Sequence, residues 1–202
     1  MSKKKIFIIS LPRHANKSTE TYLRAHGITL AHNGKLPGDE GEDFVHPDRM
    51  IAMHEQLARG DYNIGLLSGG ECDGLSMYPA CSHYRELAQQ YPDALFIHVR
   101  RDKDEWLNSA ERFLSATARS REGNAPLGEA FAFFRTAAFG AHAQNREEYA
   151  AGYDRHYAGV EEFGKEIGDK RFLSLEMKDL VKGGAALDKL CAFVGVKRNP
   201  AI

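Results

Sequence analysis

A three-layer α/β fold, with a central parallel sheet flanked by helices, is predicted from two observations. Four short apolar or β-branched runs, Ile6 to Ser10, Asn63 to Leu67, Leu95 to Val99 and Phe172 to Leu175, lack the alternation of half-exposed strands, as strands covered on both faces do. Between them lie stretches with helix start and stop signals, and strands alternating with helices build crossover units around a parallel sheet.

Taken in order, Ile6 to Ser10 follows three lysines and stops at Pro12-Arg13-His14. It is too short for a cleaved leader and lacks a small-residue cleavage site, so it reads as the first strand. Ser18 to His26 is helical and ends at Gly27, a residue suited to the left-handed position after a helix. His32 to His46 reads as a loop. Pro47 to Arg59 opens with a first-turn proline and closes near Gly60. Asn63 to Leu67 is the second predicted strand, and a helix over Pro79 to Gln90 leads into Tyr91-Pro92-Asp93. After the strand Leu95 to Val99, Asp102 and Glu105 stand at capping-box spacing ahead of a further helix. Arg119 to Pro126 reads as irregular, and Leu127 to Gly164 as one or two long helices with apolar residues at helical spacing. Phe172 to Leu175 and the apolar stretch Leu187 to Val196 supply a last strand and helix. With no repeat and no linker, residues 1–202 are expected to form one domain.

Charge and composition exclude several classes. The chain carries 27 Lys plus Arg against 28 Asp plus Glu, a net charge of −1, which suits neither a nucleic-acid coat nor an acidic disordered tail. Cys72, Cys81 and Cys191 are odd in number and show no paired spacing, so neither a disulfide framework nor a zinc ribbon is indicated. His54-Glu55 is followed by Ala58 where a zinc-protease helix needs its second histidine, and no metal is expected. No run approaches the ~20 apolar residues of a membrane span. A cytoplasmic protein without a membrane span is the expectation, and no heptad seam indicates an oligomeric state.

The most informative stretch is the first strand, the loop Ser10 to Thr19 and the helix that follows. A strand delivering a tight loop into a helix N-terminus gathers unpaired N–H groups and the helix dipole, which suits a phosphate. Arg13 and Lys17 add charge, and Ser18 and Thr19 add hydroxyls. The ATPase pattern G-x-x-x-x-G-K-[ST] is not met, because the loop contains no glycine.

Here the sequence resembles the P-loop sulfotransferases that use 3′-phosphoadenosine-5′-phosphosulfate, especially bacterial ones. Their loop, G-L-P-R-T-G-T-T-S, is matched in length by Ser10-Leu11-Pro12-Arg13-His14-Ala15-Asn16-Lys17-Ser18. Their Y-P-D-A strand ending in V-R-D-x-x-x-W-x-x-S is matched by Tyr91-Pro92-Asp93-Ala94 through Arg101-Asp102, Trp106 and Ser109. The closing segments from Tyr153 to Val196 also match, and only His32 to Asn63 aligns poorly. The resemblance implies a P-loop nucleotide-binding fold and transfer of a sulfuryl group to an acceptor hydroxyl or amine on a small-molecule or glycan-like acceptor. It also implies that Arg13, His14, Ala15, Asn16, Lys17, Ser18 and Thr19 surround the 5′ end of the nucleotide, with Arg101 and Ser109 on its 3′-phosphate.

Two features of the site stay open in the sequence. Ala15 stands where the family loop has glycine, so it either takes a left-handed conformation at ~1–2 kcal/mol or leaves a wider loop. By the resemblance, the base is a His or an acidic residue just after the strand that here ends near Ser68, in close bacterial relatives an Asp in a D-x-P motif. Asp73 is the nearest match, Gly74-Leu75 replaces the x-P, and Glu71 and His14 compete with it. Arg13, Lys17 and Asp73 are the catalytic candidates. Two rival readings are a small-molecule kinase using Lys17-Ser18 and a non-catalytic protein of the same fold that binds a nucleotide or a partner.

Overall fold

The computed structural model describes residues 4–39, 44–119, 124–140 and 145–199. Its five strands, β1 (Ile6–Ile8), β2 (Leu30–His32), β3 (Gly74–Ser76), β4 (Leu95–Arg100) and β5 (Phe172–Glu176), form one sheet in the order β2-β3-β1-β4-β5. Every neighbouring pair is parallel, with Ile6 in register with Gly74 on one side and with Leu95 on the other. Among the described residues the helices are α1 (Asn16–Ala25), α2 (Pro47–Ala58), α3 (Gly65–Ser68), α4 (Tyr84–Gln90), α5 (Lys103–Arg119), α6 (Ala125–Phe139), α7 (Arg146–Ile167), α8 (Met177–Lys182) and α9 (Ala185–Val194). None is long and apolar enough to cross a membrane.

The two faces of the sheet carry separate apolar cores, which is why the strands read as continuous apolar runs. Ile6, Ile8, Leu95, Ile97 and Val99 point to one face and pack with Leu23 of α1 and Leu190 of α9. Phe7, Leu75 and Phe96 point to the other, against Met50 and Met53 of α2, Phe134 of α6 and Phe163 of α7. The result is three layers, as the sequence predicts.

The structure corrects one predicted strand, adds two strands and moves the start of one helix. Asn63 to Leu67 is not a strand: Gly65–Ser68 forms one helical turn that buries Leu66 and Leu67. Periodicity cannot separate strand from helix in so short an apolar run. The strands that border β1 and β3 instead come from Leu30–His32, at the edge of the predicted loop, and from Gly74–Ser76. The helix predicted from Pro79 begins only at Tyr84, after turns in which Ser82 and His83 donate to the Pro79 carbonyl. The long helical stretch is two helices, α6 and α7, each opened by an asparagine whose side chain accepts from the helix, Asn124 from Leu127 N and Asn145 from Glu148 N. Of the irregular stretch predicted at Arg119 to Pro126, Arg119 ends α5 and Ala125 and Pro126 open α6; 120–123, and 40–43 of the loop before α2, lie outside the described residues.

Candidate functional site

The carboxyl ends of β1, β2, β3 and β4 open onto a cleft of about 300 Å³. Arg13, Ala15, Asn16, Lys17 and Ser18 form one wall, and Arg101, Phe113 and Met177 another; His32, Asn33 and Met77 come from the ends of β2 and β3. This is the crevice in which open parallel sheets bind their ligands.

The loop after β1 is held in place from beneath. The Asn16 amide donates to the carbonyls of Ser10 and Leu11 at 3.2 and 3.1 Å and to Met77 Sδ at 3.0 Å. The buried Trp106 indole donates to the Pro12 carbonyl at 2.7 Å. Ala15 takes φ 56°, ψ 23° and starts α1, where Thr19 N donates to the Ala15 carbonyl. The glycine-like conformation is therefore kept in spite of the alanine. The first N–H groups of α1, on Asn16, Lys17 and Ser18, are left for a ligand.

Four non-glycine residues among those described have positive φ: Arg13, Ala15, Asn33 and Met77. All four line this cleft. Left-handed backbone is costly for side-chain-bearing residues and persists only where the surroundings enforce it, so the strain of the molecule is gathered at one place.

Arg13 and Arg101 are tied to each other. Arg101 Nη1 donates to the Arg13 carbonyl at 2.8 Å, and Arg13 Nε donates to Ser109 Oγ at 3.0 Å while its guanidinium lies 5.0 Å from the centre of the Phe113 ring. The main chain of Arg101 is fixed by α7: its N–H donates to the Tyr157 hydroxyl at 2.8 Å, and its carbonyl accepts from Tyr153. Burial and the Tyr153 hydroxyl push the Tyr157 phenol up, so it stays protonated. Lys17 Nζ lies 4.6 Å from the Phe44 ring centre.

Of the residues singled out in the sequence, Arg13, Ala15, Asn16, Lys17, Ser18 and Arg101 meet in the cleft, with Ser109 joined to it through Arg13. His14 and Thr19 do not bring their side chains there. The His14 ring is buried among Trp106, Tyr153 and Tyr157, where burial pushes its pKa down to about 3. The Thr19 hydroxyl donates to the Ala15 carbonyl at 3.0 Å.

Asp73 is not brought to the loop, which corrects the reading of it as a base. It precedes β3 at the amino-terminal end of the strands, opposite the cleft, where its side chain accepts from Thr29 N at 2.8 Å and its carbonyl accepts from Ile6 N. The strand that separates it from the cleft puts ~10 Å between them. Glu71, close in sequence, is exposed and lies 3.9 Å from Arg49. The segment that leaves β3 toward the cleft is Met77-Tyr78-Pro79, which brings a methionine and no acid to the cleft.

Sequence reasoning missed His32, Asn33 and Met77. The signal for the first two was the β-branched and apolar run Ile28 to Ala31 after Gly27, which ends in His32 and then the turn pair Asn33-Gly34. His32 Nδ1 lies 3.0 Å from Glu20 Oε2 and 3.3 Å from Ser76 Oγ. The ring lines both the cleft and an adjoining hollow of about 400 Å³, shared with Lys17, Glu20 and Phe44. No group of His, Cys, Asp and Glu among the described residues is arranged to hold a metal ion.

Comparison with known proteins follows the same line. Residues 5–201 match the family described as "Sulfotransferase domain". Among solved structures the chain is similar to a sulfotransferase from Alicyclobacillus acidocaldarius, at 19% identity and a TM-score of 0.56, over 98% of this chain and 83% of that one. No curated protein matches it at a significant level.

Proposed function

The chain belongs to the sulfotransferase domain family, and from that premise we propose that it moves a sulfuryl group from 3′-phosphoadenosine-5′-phosphosulfate to the hydroxyl or amine of a small-molecule or glycan-like acceptor. The observation that carries the donor is the convergence of Arg13, Lys17 and Arg101 with the open N-terminus of α1 on one cleft. A doubly phosphorylated nucleotide suits this set, with cations and N–H groups for its anionic ends and Phe113, Met77 and Met177 for its apolar parts. When bound, the donor supplies the activated sulfur and a phosphate leaving group.

The residues of this chain act by binding and by neutralising charge. Arg13, Lys17 and the N–H groups of Asn16 to Ser18 hold the 5′ end and meet the negative charge that grows on the leaving phosphate oxygen. Arg101 and Ser109 hold the 3′-phosphate, and the hydrogen bond from Arg13 to Ser109 couples the two ends. The non-catalytic reading draws on the cleft lining, to which the segment after β3 brings Met77 and no acid.

Calorimetric titration tests the donor class, with adenosine 3′,5′-bisphosphate run beside adenosine 5′-phosphate and ATP, each with and without Mg²⁺. Metal-independent preference for the bisphosphate is the expected result. Preference for ATP with Mg²⁺ gives the site to a kinase. Bisphosphate binding without sulfuryl turnover across phenol, alcohol and amine acceptors gives it to the non-catalytic reading.

A further inference from the structure

His32 ends β2 at the seam between the cleft and the neighbouring hollow, and among the described residues it is the histidine that lines the cleft. Its Nδ1 faces the largely buried Glu20 carboxylate at 3.0 Å, with Ser76 Oγ at 3.3 Å on the same nitrogen. A carboxylate only accepts, so Nδ1 carries the proton of the neutral ring and Nε2 keeps its lone pair. Among the described residues Nε2 makes no hydrogen bond, and the ring is 15% exposed toward the two cavities.

The other candidates for this work are accounted for. Asp73 lies at the amino end of β3, away from the cleft, Glu71 faces Arg49, the His14 ring is enclosed in the core, and Met77, which lines the cleft after β3, cannot accept a proton.

On the sulfotransfer reading above, we infer that His32 is the general base toward the acceptor and that Glu20 is its positioning residue. The acceptor enters from the hollow. Its oxygen forms a bond to the sulfur of the phosphosulfate as Nε2 takes the hydroxyl proton. The bond from sulfur to the bridging phosphate oxygen breaks, and its electron pair leaves with the bisphosphate. The imidazolium that results is stabilised through Nδ1 by Glu20, in the arrangement that carboxylate–histidine pairs use elsewhere.

The test uses the full chain and two readouts. Long-range nitrogen–proton correlation spectra of the His32 ring need no acceptor; they are expected to show Nδ1 protonated and Nε2 bare, and an Nε2-protonated ring overturns the assignment. His32→Asn keeps an amide nitrogen near the position of Nδ1, and with it the bond to Glu20, but puts nothing in place of Nε2. With radiolabelled donor and 4-nitrophenol as probe acceptor, turnover is expected to fall about 100-fold with bisphosphate affinity held within about twofold. Turnover close to that of the parent overturns the role. Glu20→Gln is expected to lower kcat about tenfold at unchanged donor KM and to mix the two ring tautomers, with Glu20→Asp restoring part of both; an unmixed tautomer removes Glu20 from the positioning role. Failure of the parent to bind the bisphosphate sinks the sulfotransfer reading instead. If 4-nitrophenol is not turned over, the comparison is made with an alcohol or amine acceptor that is, and a parent that binds the bisphosphate but sulfates none of the three classes overturns the role of His32.

Discussion

Single side chains divide the cleft into parts that can be tested apart. Arg101→Ala removes a charged donor assigned to the 3′-phosphate and also the bond from Nη1 to the Arg13 carbonyl. Charged hydrogen bonds contribute about 1.5–3 kcal/mol, so calorimetry is expected to show adenosine 3′,5′-bisphosphate weakened by about 10- to 100-fold. Adenosine 5′-phosphate, which lacks the 3′ group, should lose only what the loosened loop costs; equal losses would take Arg101 off the 3′ site. Ala15 gives a second residue-scale prediction. At φ 56° its Cβ carries the left-handed penalty, so Ala15→Gly relieves ~1–2 kcal/mol, offset in part by the ~0.4–1 kcal/mol that glycine adds to the entropy of the unfolded chain. A small net gain is expected in a thermal melt, and a lowered melting temperature would contradict the strain. Arg13, Lys17 and Arg101 were legible in the sequence because motif spacing fixes them relative to a strand end. Asp73 is misplaced by sequence reasoning because the strand that follows it, β3, is not recognisable in the sequence, so Asp73 reads as following a strand when it precedes one.

Elements were legible where they are long or capped by side chains. Asp102 was read as a cap, and its Oδ1 accepts from the N–H groups of both Asp104 and Glu105 at 3.0 Å. Glu105 instead turns to the Arg101 side chain at 3.8 Å. Asp102→Ala is expected to cost about 1 kcal/mol and to lower the melting temperature by roughly 2–4 °C in a chain of this size. Because α5 carries Trp106 and Ser109, bisphosphate affinity should fall with it. The two strands missed, β2 and β3, have three residues each, too few for a periodic signal, and β3 opens with a glycine, which argues against a strand on propensity alone. Gly74 is required by close approach: a Cβ there would lie 1.7 Å from the Ile6 carbonyl oxygen in the neighbouring strand. Gly74→Ala is therefore expected to prevent β1 and β3 from pairing, seen as loss of the cooperative melt by circular dichroism. A normal melt would mean that the two strands can separate without loss of the fold.

Across the molecule, three histidines lie under the loop after β1, between the sheet and α7. His14 Nε2 meets the Tyr157 hydroxyl at 2.9 Å, His156 Nε2 meets the Ile9 carbonyl at 3.0 Å, and the His98 ring lies 4.9 Å from that of Tyr157. Burial is the main cause in each case, lowering His14 to about 3, His156 to about 4 and His98 well below its ordinary value. The folded protein keeps these rings neutral, whereas the unfolded chain protonates them near pH 6.5. Protons thus bind more strongly to the unfolded state below that pH. Stability is full above about pH 6.5 and falls as the pH drops, by up to about 1.4 kcal/mol per pH unit for each ring, until, for His156 and His14, the folded-state values of about 4 and about 3 are reached. Asp39 and Asp61 have lowered pKa values, Asp39 through the Leu36 N–H and Arg49 against the cost of its burial, Asp61 chiefly through the Asn63 N–H. They lose their contribution only as the pH falls through the acid range below about 4, so the window from 6.5 to 4 belongs to the histidines. Urea midpoints measured across it should slope steeply, and His156→Gln, whose amide can still donate to the Ile9 carbonyl, should flatten the slope while lowering stability at neutral pH only modestly. An unchanged slope would mean that the protons are taken up elsewhere. Because these rings support the main chain of β1 and its loop, the same acid range is expected to weaken bisphosphate binding before the fold is lost.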